Sequence, residues 1–332
     1  MITADWLYWL CGAIFLGAAV IVGRDRENPK RIGSVAFWAL LGLSFWYGTF
    51  VVRKAAPPWL LGLAVIAMAC LAGFGALGKG GGLRSTTEKQ RVALAERFGG
   101  RVFVPALIIP VVAILFATLV VKIKVNGQPL LLKGSETLIG LGVGSVLALV
   151  VGLLILRPTP ASIGSGPLTP AVPLREGTRL LQAIGWAAVL PQMLATLGLL
   201  FDQAGVGKVV GKLTKDVLPQ GSLIWAVVVY CLGMAVFTIV MGNAFAAFPV
   251  MTAAVGWPVL IQQFHGNPPV VFAVGMLAGF CGTLCTPMAA NFNIVPAVLL
   301  EMKNQYGPIK AQLPTAIPLL ACNVAIMYFF AF

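Results

Sequence analysis

Long apolar runs, separated by short polar loops, dominate the first half of the chain. Five runs lie at about 5–23, 32–52, 58–78, 102–121 and 136–156. Each is about 20 residues long, the length at which an α-helix with a rise of about 1.5 Å per residue crosses a hydrocarbon core of about 30 Å. The pattern therefore predicts five conventional transmembrane helices in residues 1–156, which we interpret as a scaffold-like membrane region.

Proline and glycine interrupt the apolar pattern after residue 156. The stretch RPTPASIGSGPLTPAVPLREG, which begins at residue 157, holds five prolines in 21 residues. Such a composition predicts an extended connector, over 157–179, because proline favours extended backbone and cannot continue a helix. The apolar pattern then resumes, and residues 180–332 form the predicted transport region.

The first segment of this second region, 180–207, is long but divided by Pro191 and Gln192, and basic residues occur at both of its ends. A re-entrant helical hairpin, with its tip at Leu190, Pro191 and Gln192, would leave and return on the same side of the membrane. That arrangement explains why the charges occur at both ends. A single span with a proline kink is the alternative.

Two later apolar stretches are interrupted by helix-breaking and polar residues. Residues 222–264 contain GNAFAAFP, residues 269–300 contain GTLCTPMAANFN, and a last apolar span covers 314–332. Non-helical backbone persists in a membrane only where protein, water or a ligand satisfies it, because each unsatisfied group costs several kcal/mol. The chain is therefore predicted to be an all-α polytopic membrane protein of about 8–10 membrane segments, including a re-entrant hairpin and discontinuous helices.

Discontinuous helices whose half-helix ends face a central cavity near the bilayer midplane are typical of transporter binding sites. The predicted helix-breaking residues are Pro191, Pro249, Pro287 and Pro296. The predicted substrate- or ion-binding residues are Gln192, Asn243, Thr252, Thr283, Thr286, Asn291 and Asn293. N–H groups at half-helix N-termini suit a small carboxylate, amides suit a carbonyl or amide, and hydroxyl and carbonyl oxygens can hold Na⁺. Alternatively, these side chains only bond the backbone or a neighbouring helix.

Composition agrees with a membrane location, since 59% of the residues are hydrophobic and 10% are charged, against roughly 25% charged in soluble domains. We interpret the net charge of +13 as an orientation signal and not as nucleic-acid binding, because Lys and Arg are retained in cytoplasmic loops. An N-terminus outside would place thirteen basic residues of the first half and connector inside and five outside. The pairs Gly140/Gly144 and Gly275/Gly279 have the spacing that permits close helix packing.

Catalytic and metal-ligating patterns do not emerge from the sequence. It contains no H-E-x-x-H, no nucleophile elbow and no carboxylate cluster, so no enzyme, catalytic residue, metal site or cofactor is predicted. The ionisable candidates in 180–332 are few: Glu301 is expected near the interface and His265 in a loop, and for Asp202 a solvated interface position is favoured over a proton relay. Coupling to Na⁺, or exchange, is therefore favoured over proton coupling.

Three strings of the second region carry a family resemblance: LPQMLATLGLLFDQAGVG, GNAFAAFPVMTAAVG and GTLCTPMAANFNIVPAVLLEM, in this order. They resemble a bacterial membrane-protein family described as one subunit of a two-subunit 5-oxoproline (pyroglutamate) transporter, similar to the ion-transporter superfamily. The resemblance implies a bacterial cytoplasmic membrane location, a second and smaller membrane subunit, and 5-oxoproline as the substrate. The alternative function is a non-transporting scaffold or assembly subunit of another membrane complex.

Overall fold

A computed structural model of the protein describes residues 2–78, 88–125, 127–132, 134–156, 171–190, 193, 196, 200–201, 203–217, 221–300 and 302–332. Helices dominate these residues, and the named strands among them form one short antiparallel ribbon of β1 (Lys124–Val125) and β2 (Gln128–Pro129). Seven helices of the described ranges are long and apolar enough to cross a membrane, and two shorter apolar helices accompany them. The predicted fold class, an all-α polytopic membrane protein, is confirmed.

The chain divides into two compact units, Met1–Gln182 and Ala183–Phe332. The first unit contains α1 (Asp5–Arg24), α2 (Arg31–Val52), α3 (Pro58–Gly73), α4 (Glu88–Phe98), α5 (Phe103–Thr118), α6 (Glu136–Leu156) and most of α7 (Ala171–Ile184). The five predicted spans of residues 1–156 correspond to α1, α2, α3, α5 and α6.

The connector predicted at 157–179 differs from the structure where the structure describes it. Residues 157–170 lie outside the described residues, whereas α7 begins at Ala171. The end of this stretch is therefore helical and not extended. Pro191 and Gln192, which form the predicted hairpin tip with Leu190, also lie outside the described residues, so the hairpin stays a prediction.

Glycines set the closeness of the helix pairs in the first unit. A Cβ atom built on Gly140 of α6 would lie 2.9 Å from the Cα atom of Ala113 in α5, and one built on Gly144 would lie 3.0 Å from the Ile109 carbonyl oxygen. Any larger residue would therefore separate α5 from α6. The close packing predicted for the Gly140/Gly144 pair is confirmed.

The second unit is a bundle built around a central helix. Its elements are α8 (Val206–Val217), α9 (Leu223–Met241), α10 (Ala244–Met251), a π-helix over Thr252–Gln263 that continues α10, α11 (Pro268–Leu284), α12 (Ile294–Leu299) and α13 (Gly307–Phe330). Helix α9 packs against α10, α11 and α13. The last helix begins seven residues before the predicted span at 314–332.

Tyr230 of α9 is fully buried at the centre of this bundle. A Cβ atom built on Gly275 of α11 would lie 2.6 Å from the Tyr230 hydroxyl, and one built on Gly256 would lie 2.9 Å from its ring. A Cβ atom on Gly279 would lie 2.9 Å from the terminal methyl of Met234. The Gly275/Gly279 pair therefore gives α9 and α11 their close contact, which confirms the packing predicted from its spacing.

We expect Gly275→Val to destabilise the second unit by about 1–3 kcal/mol, because the new side chain overlaps the buried Tyr230 ring and forces the helices apart. Thermal unfolding of the purified protein in detergent measures the effect. Gly62→Val is the matched control, since Gly62 also lies in an apolar helix but has no atom within 4 Å of an added Cβ. Equal shifts for the two variants would contradict the packing role.

Candidate functional site

The first interruption of the second region lies between α9 and α10. Gly242 has φ +73°, and Asn243, with φ −149° and ψ 122°, is extended. Positive φ is strained for residues with a Cβ atom, so glycine is the residue suited to end α9 here. Asn243 then starts α10, because its Oδ1 accepts a hydrogen bond of 2.8 Å from the Phe245 N–H, as N-cap residues do.

This interruption is a turn between two antiparallel helices. The Tyr230 hydroxyl, twelve residues before Gly242, lies 3.3 Å from the Thr252 hydroxyl, ten residues after it. Helix α9 has 19 residues and is about 28 Å long, close to the thickness of a hydrocarbon core. Helix α9 is therefore long enough to cross a membrane, and the position of the site near the bilayer midplane stays a prediction.

The second interruption covers 285–293, between the end of α11 and the start of α12. Asn293 is fully buried, and its Nδ2 donates to the carbonyl oxygens of Thr283 at 2.8 Å and Thr286 at 2.7 Å. Carbonyls at a helix C-terminus have no partner within the helix. One amide group therefore satisfies two carbonyls where the chain leaves α11.

The two interruptions meet in space. The Thr286 hydroxyl donates a 2.9 Å hydrogen bond to the Ile239 carbonyl oxygen in the last turn of α9. A Cβ atom built on Gly242 would lie 2.6 Å from the Met288 carbonyl oxygen, so the backbones touch because Gly242 has no side chain. We call this meeting of Gly242 and Asn243 with 285–293 the junction.

Two buried oxygen atoms near the junction have no hydrogen-bond partner among the described residues: Asn293 Oδ1 and Thr238 Oγ1. Thr238 is fully buried, and its carbonyl accepts the Gly242 N–H at 2.7 Å. A buried polar atom without a partner calls for a water, an ion or a ligand. Both atoms are neutral oxygens, the kind of group that can accept a ligand N–H or hold Na⁺.

The two segments that form the junction carry no formal charge, since residues 238–252 and 282–296 contain no Asp, Glu, Lys, Arg or His. Of the first four N–H groups of α10, that of Phe245 donates to the Asn243 side chain and that of Ala247 donates to the Asn243 carbonyl oxygen. N–H groups at a helix start favour negative charge. These two segments would therefore hold a small anion through N–H groups and amides.

A family model described as "Protein of unknown function (DUF979)" matches residues 5–332. The chain belongs to this family. The matched range includes both interruptions and every described residue of the junction. No curated protein and no solved structure shows significant similarity to the chain.

The predicted binding residues of this DUF979 chain have different surroundings. Thr286 bonds across the junction to α9, whereas Asn293 and Asn243 bond within their own interruptions. The Thr283 hydroxyl donates to the Phe280 carbonyl of its own helix at 2.6 Å. Thr252 is bonded to Tyr230 within the bundle. Asn291 is exposed, and Gln192 lies outside the described residues.

The predicted helix-breaking prolines also differ from one another. Pro287 lies in the second interruption, and Pro296 is the third residue of α12, in the first turn where helices tolerate proline. Pro249 lies inside α10, which continues through it. The unwinding predicted around Pro249 is therefore confined to Gly242 and Asn243, because the left-handed conformation of Gly242 ends α9 before the proline is reached.

Two buried polar residues of this region, Thr238 and Asn323, were not among the predicted site residues. Asn323 of α13 donates through Nδ2 to the Cys281 sulfur of α11 at 3.4 Å. Its signal in the sequence is a single amide within the apolar run PLLACNVAIMYFF, because polar residues in membrane helices commonly bond across helices. Thr238 has a weaker signal, its position one turn before the Gly242 interruption.

Proposed function

We propose that this protein is a subunit of a secondary transporter for a small organic anion, which binds at the junction. The observation that carries the proposal is the meeting of two non-helical segments inside an apolar bundle, with Asn293 Oδ1 and Thr238 Oγ1 buried and without described partners. Helices that break inside a membrane bundle and leave polar groups without partners are typical of transporter binding sites.

We further propose 5-oxoproline as the substrate and a smaller membrane subunit as the partner, on the resemblance described above. This molecule carries one carboxylate and one lactam. The N–H groups at the start of α10 suit the carboxylate, and amide side chains suit the lactam. Na⁺ is the proposed coupling ion, because the two buried groups without a described partner at the junction are neutral oxygens, which can hold this ion. The proposed location is the bacterial cytoplasmic membrane, with the N-terminus outside.

Uptake of labelled 5-oxoproline by vesicles that contain the chain and its smaller subunit tests this function, with Na⁺ and pH varied independently. We expect Asn243→Ser and Asn291→Ala to reduce uptake at least tenfold while the protein still inserts. Serine retains an oxygen that can cap α10 but removes the amide. Asn291 is exposed, so its replacement is expected to leave the folded bundle intact.

Asn304→Ser is the matched control for Asn243→Ser. The Asn304 side chain accepts an N–H bond from Tyr306, two residues on, at 2.9 Å, the same local arrangement as in Asn243, but it lies outside the junction. Wild-type uptake in both junction variants would reject the site. Absence of uptake by the wild-type pair at every Na⁺ concentration and pH would reject the substrate.

A non-transporting scaffold subunit is the second candidate function. The observation in its favour is that Thr283, Thr286 and the Asn293 amino group are already engaged in hydrogen bonds to backbone carbonyls. Such residues can serve to stabilise the bundle alone. Transport by the smaller subunit without this chain would favour the scaffold, whereas loss of uptake in the Asn291→Ala variant would reject it.

A further inference from the structure

The loop between α1 and α2 forms a basic pocket that the proposed transport site does not use. An open pocket of about 820 Å³ lies against residues 23–32, and Arg24, Arg26 and Arg31 contribute to its lining. All three arginines are exposed. Ion pairs of the described residues join Arg53 to Asp5 and Arg179 to Glu176, and none involves these three.

The two acidic residues of the loop are not part of the pocket lining. Asp25 is buried, and its Oδ1 accepts the Glu27 N–H at 3.2 Å. Neither Asp25 nor Glu27 lines the pocket. Three arginines therefore line one pocket, a composition that suits a phosphate group, because each guanidinium can donate two parallel hydrogen bonds to its oxygens.

The loop is also held in a fixed shape before any ligand binds. The Lys30 N–H donates to Asn28 Oδ1 at 3.0 Å, and the Lys30 ammonium donates to the Gly75 carbonyl after α3 at 2.7 Å. The Gly78 N–H donates to the Ser34 hydroxyl at 2.9 Å. These bonds connect the loop to the chain beyond α3, so the arginines project from a rigid base and lose less freedom on binding.

Two further groups favour an anion at this place. Asn28 lines the pocket and is 2% exposed, and its Nδ2 has no hydrogen-bond partner among the described residues. The pocket also includes Ile32, at the start of α2, where helix N–H groups have no intrahelical acceptor and favour negative charge. Ile32 is 80% exposed, so apolar surface adjoins the basic groups.

We propose that the pocket between α1 and α2 binds a phosphate group, with Arg24, Arg26 and Arg31 as its cationic ligands. A lipid headgroup and a soluble phosphate share this chemistry. Basic pockets at the ends of transmembrane helices are suited to anionic headgroups, and the exposed Ile32 gives acyl chains a place to lie. The site is separate in sequence from the junction and needs no transport activity.

The test measures binding of two probes to the full chain in detergent: dioleoylphosphatidylglycerol, by native mass spectrometry, and inorganic phosphate, by calorimetry. We expect Arg26→Gln combined with Arg31→Gln to weaken binding at least tenfold. Arg97→Gln combined with Arg101→Gln is the matched control, because it removes the same charge from exposed arginines outside the pocket and is expected to change binding less than twofold.

The outcomes separate the sources of the phosphate. Loss of lipid binding alone in the pocket variant identifies a headgroup site, and loss of inorganic phosphate binding identifies a site for a soluble phosphate. Equal weakening in the pocket variant and the control would overturn the proposal, since it would indicate general charge attraction. Absence of binding of either probe to the wild-type chain would also overturn it.

Discussion

Asn293→Ala is expected to destabilise the second unit by about 2 kcal/mol or more. Asn293 is fully buried, and its amide donates to two carbonyl oxygens, those of Thr283 and Thr286. Each buried carbonyl that loses its donor costs about 1–3 kcal/mol, and little water reaches an apolar bundle to replace it. The midpoint of SDS-induced unfolding, followed by tryptophan fluorescence, measures the change.

Asn291→Ala is the matched control, because it removes the same side chain two positions away. Asn291 is exposed, and surface substitutions usually change stability by less than about 0.5 kcal/mol. The pair therefore separates two roles: Asn293 supports the fold, and Asn291 is available to a ligand. A stability loss of similar size in both variants would contradict the assignment of the carbonyl bonds to Asn293.

Gly242→Ala is also expected to destabilise the second unit strongly, because it changes both the backbone conformation of the turn and the close approach of the turn to Met288. The residue has φ +73°, and its Cβ atom would lie 2.6 Å from the Met288 carbonyl oxygen. The left-handed conformation costs about 1–2 kcal/mol for alanine. The contact adds about 1–3 kcal/mol, because the backbones of the two interruptions must separate.

Gly205→Ala isolates the conformational part of this effect. Gly205 has φ +71°, nearly the same angle, but no atom lies within 4 Å of an added Cβ. We expect Gly242→Ala to lower the free energy of unfolding more than Gly205→Ala does, and the difference measures the contact with Met288. We also expect Gly242→Ala to reduce uptake at least tenfold more than Gly205→Ala. If the two variants unfold at the same SDS concentration, the close approach of Gly242 to Met288 has no energetic role.

Together the two predictions test how the junction is held together. Gly242 allows the two interruptions to touch, and Asn293 fixes the second interruption through the Thr283 and Thr286 carbonyls; neither needs to touch a ligand to do so. Thr286 contributes in the same way through the Ile239 carbonyl. Residues that bind a substrate would then be those of the same segments whose polar groups stay available, such as Asn291 and the Asn293 Oδ1 atom.

Much of the fold was predictable because a transmembrane helix requires a continuous run of apolar residues, which is visible in the sequence. The five apolar runs of residues 1–156 correspond to five helices, and both GxxxG pairs give close helix contacts. Run length, small-residue spacing and the clustering of Gly, Pro and Asn are all properties of neighbouring residues. The place where α9 ends, at GN, was accordingly visible as an interruption.

Local signals failed where several breakers occur together. Pro249 and Gly242 both lie in GNAFAAFP, and proline is the stronger helix breaker by propensity. The structure ends α9 at Gly242 and continues α10 through Pro249. The left-handed conformation of Gly242 ends α9, and α10 then accommodates the proline within its helix.

The sequence by itself determined that this chain is an all-α membrane protein with polar interruptions in its second half, because hydropathy and run length are properties of neighbouring residues. Only the tertiary structure decided which polar side chains are buried and engaged in hydrogen bonds. Asn291 and Asn293 are the same amino acid in the same short stretch, yet one is exposed and the other is fully buried. The difference depends on partners far along the chain, as with Thr286 and Ile239, which are 47 residues apart, and no local pattern records such a pairing.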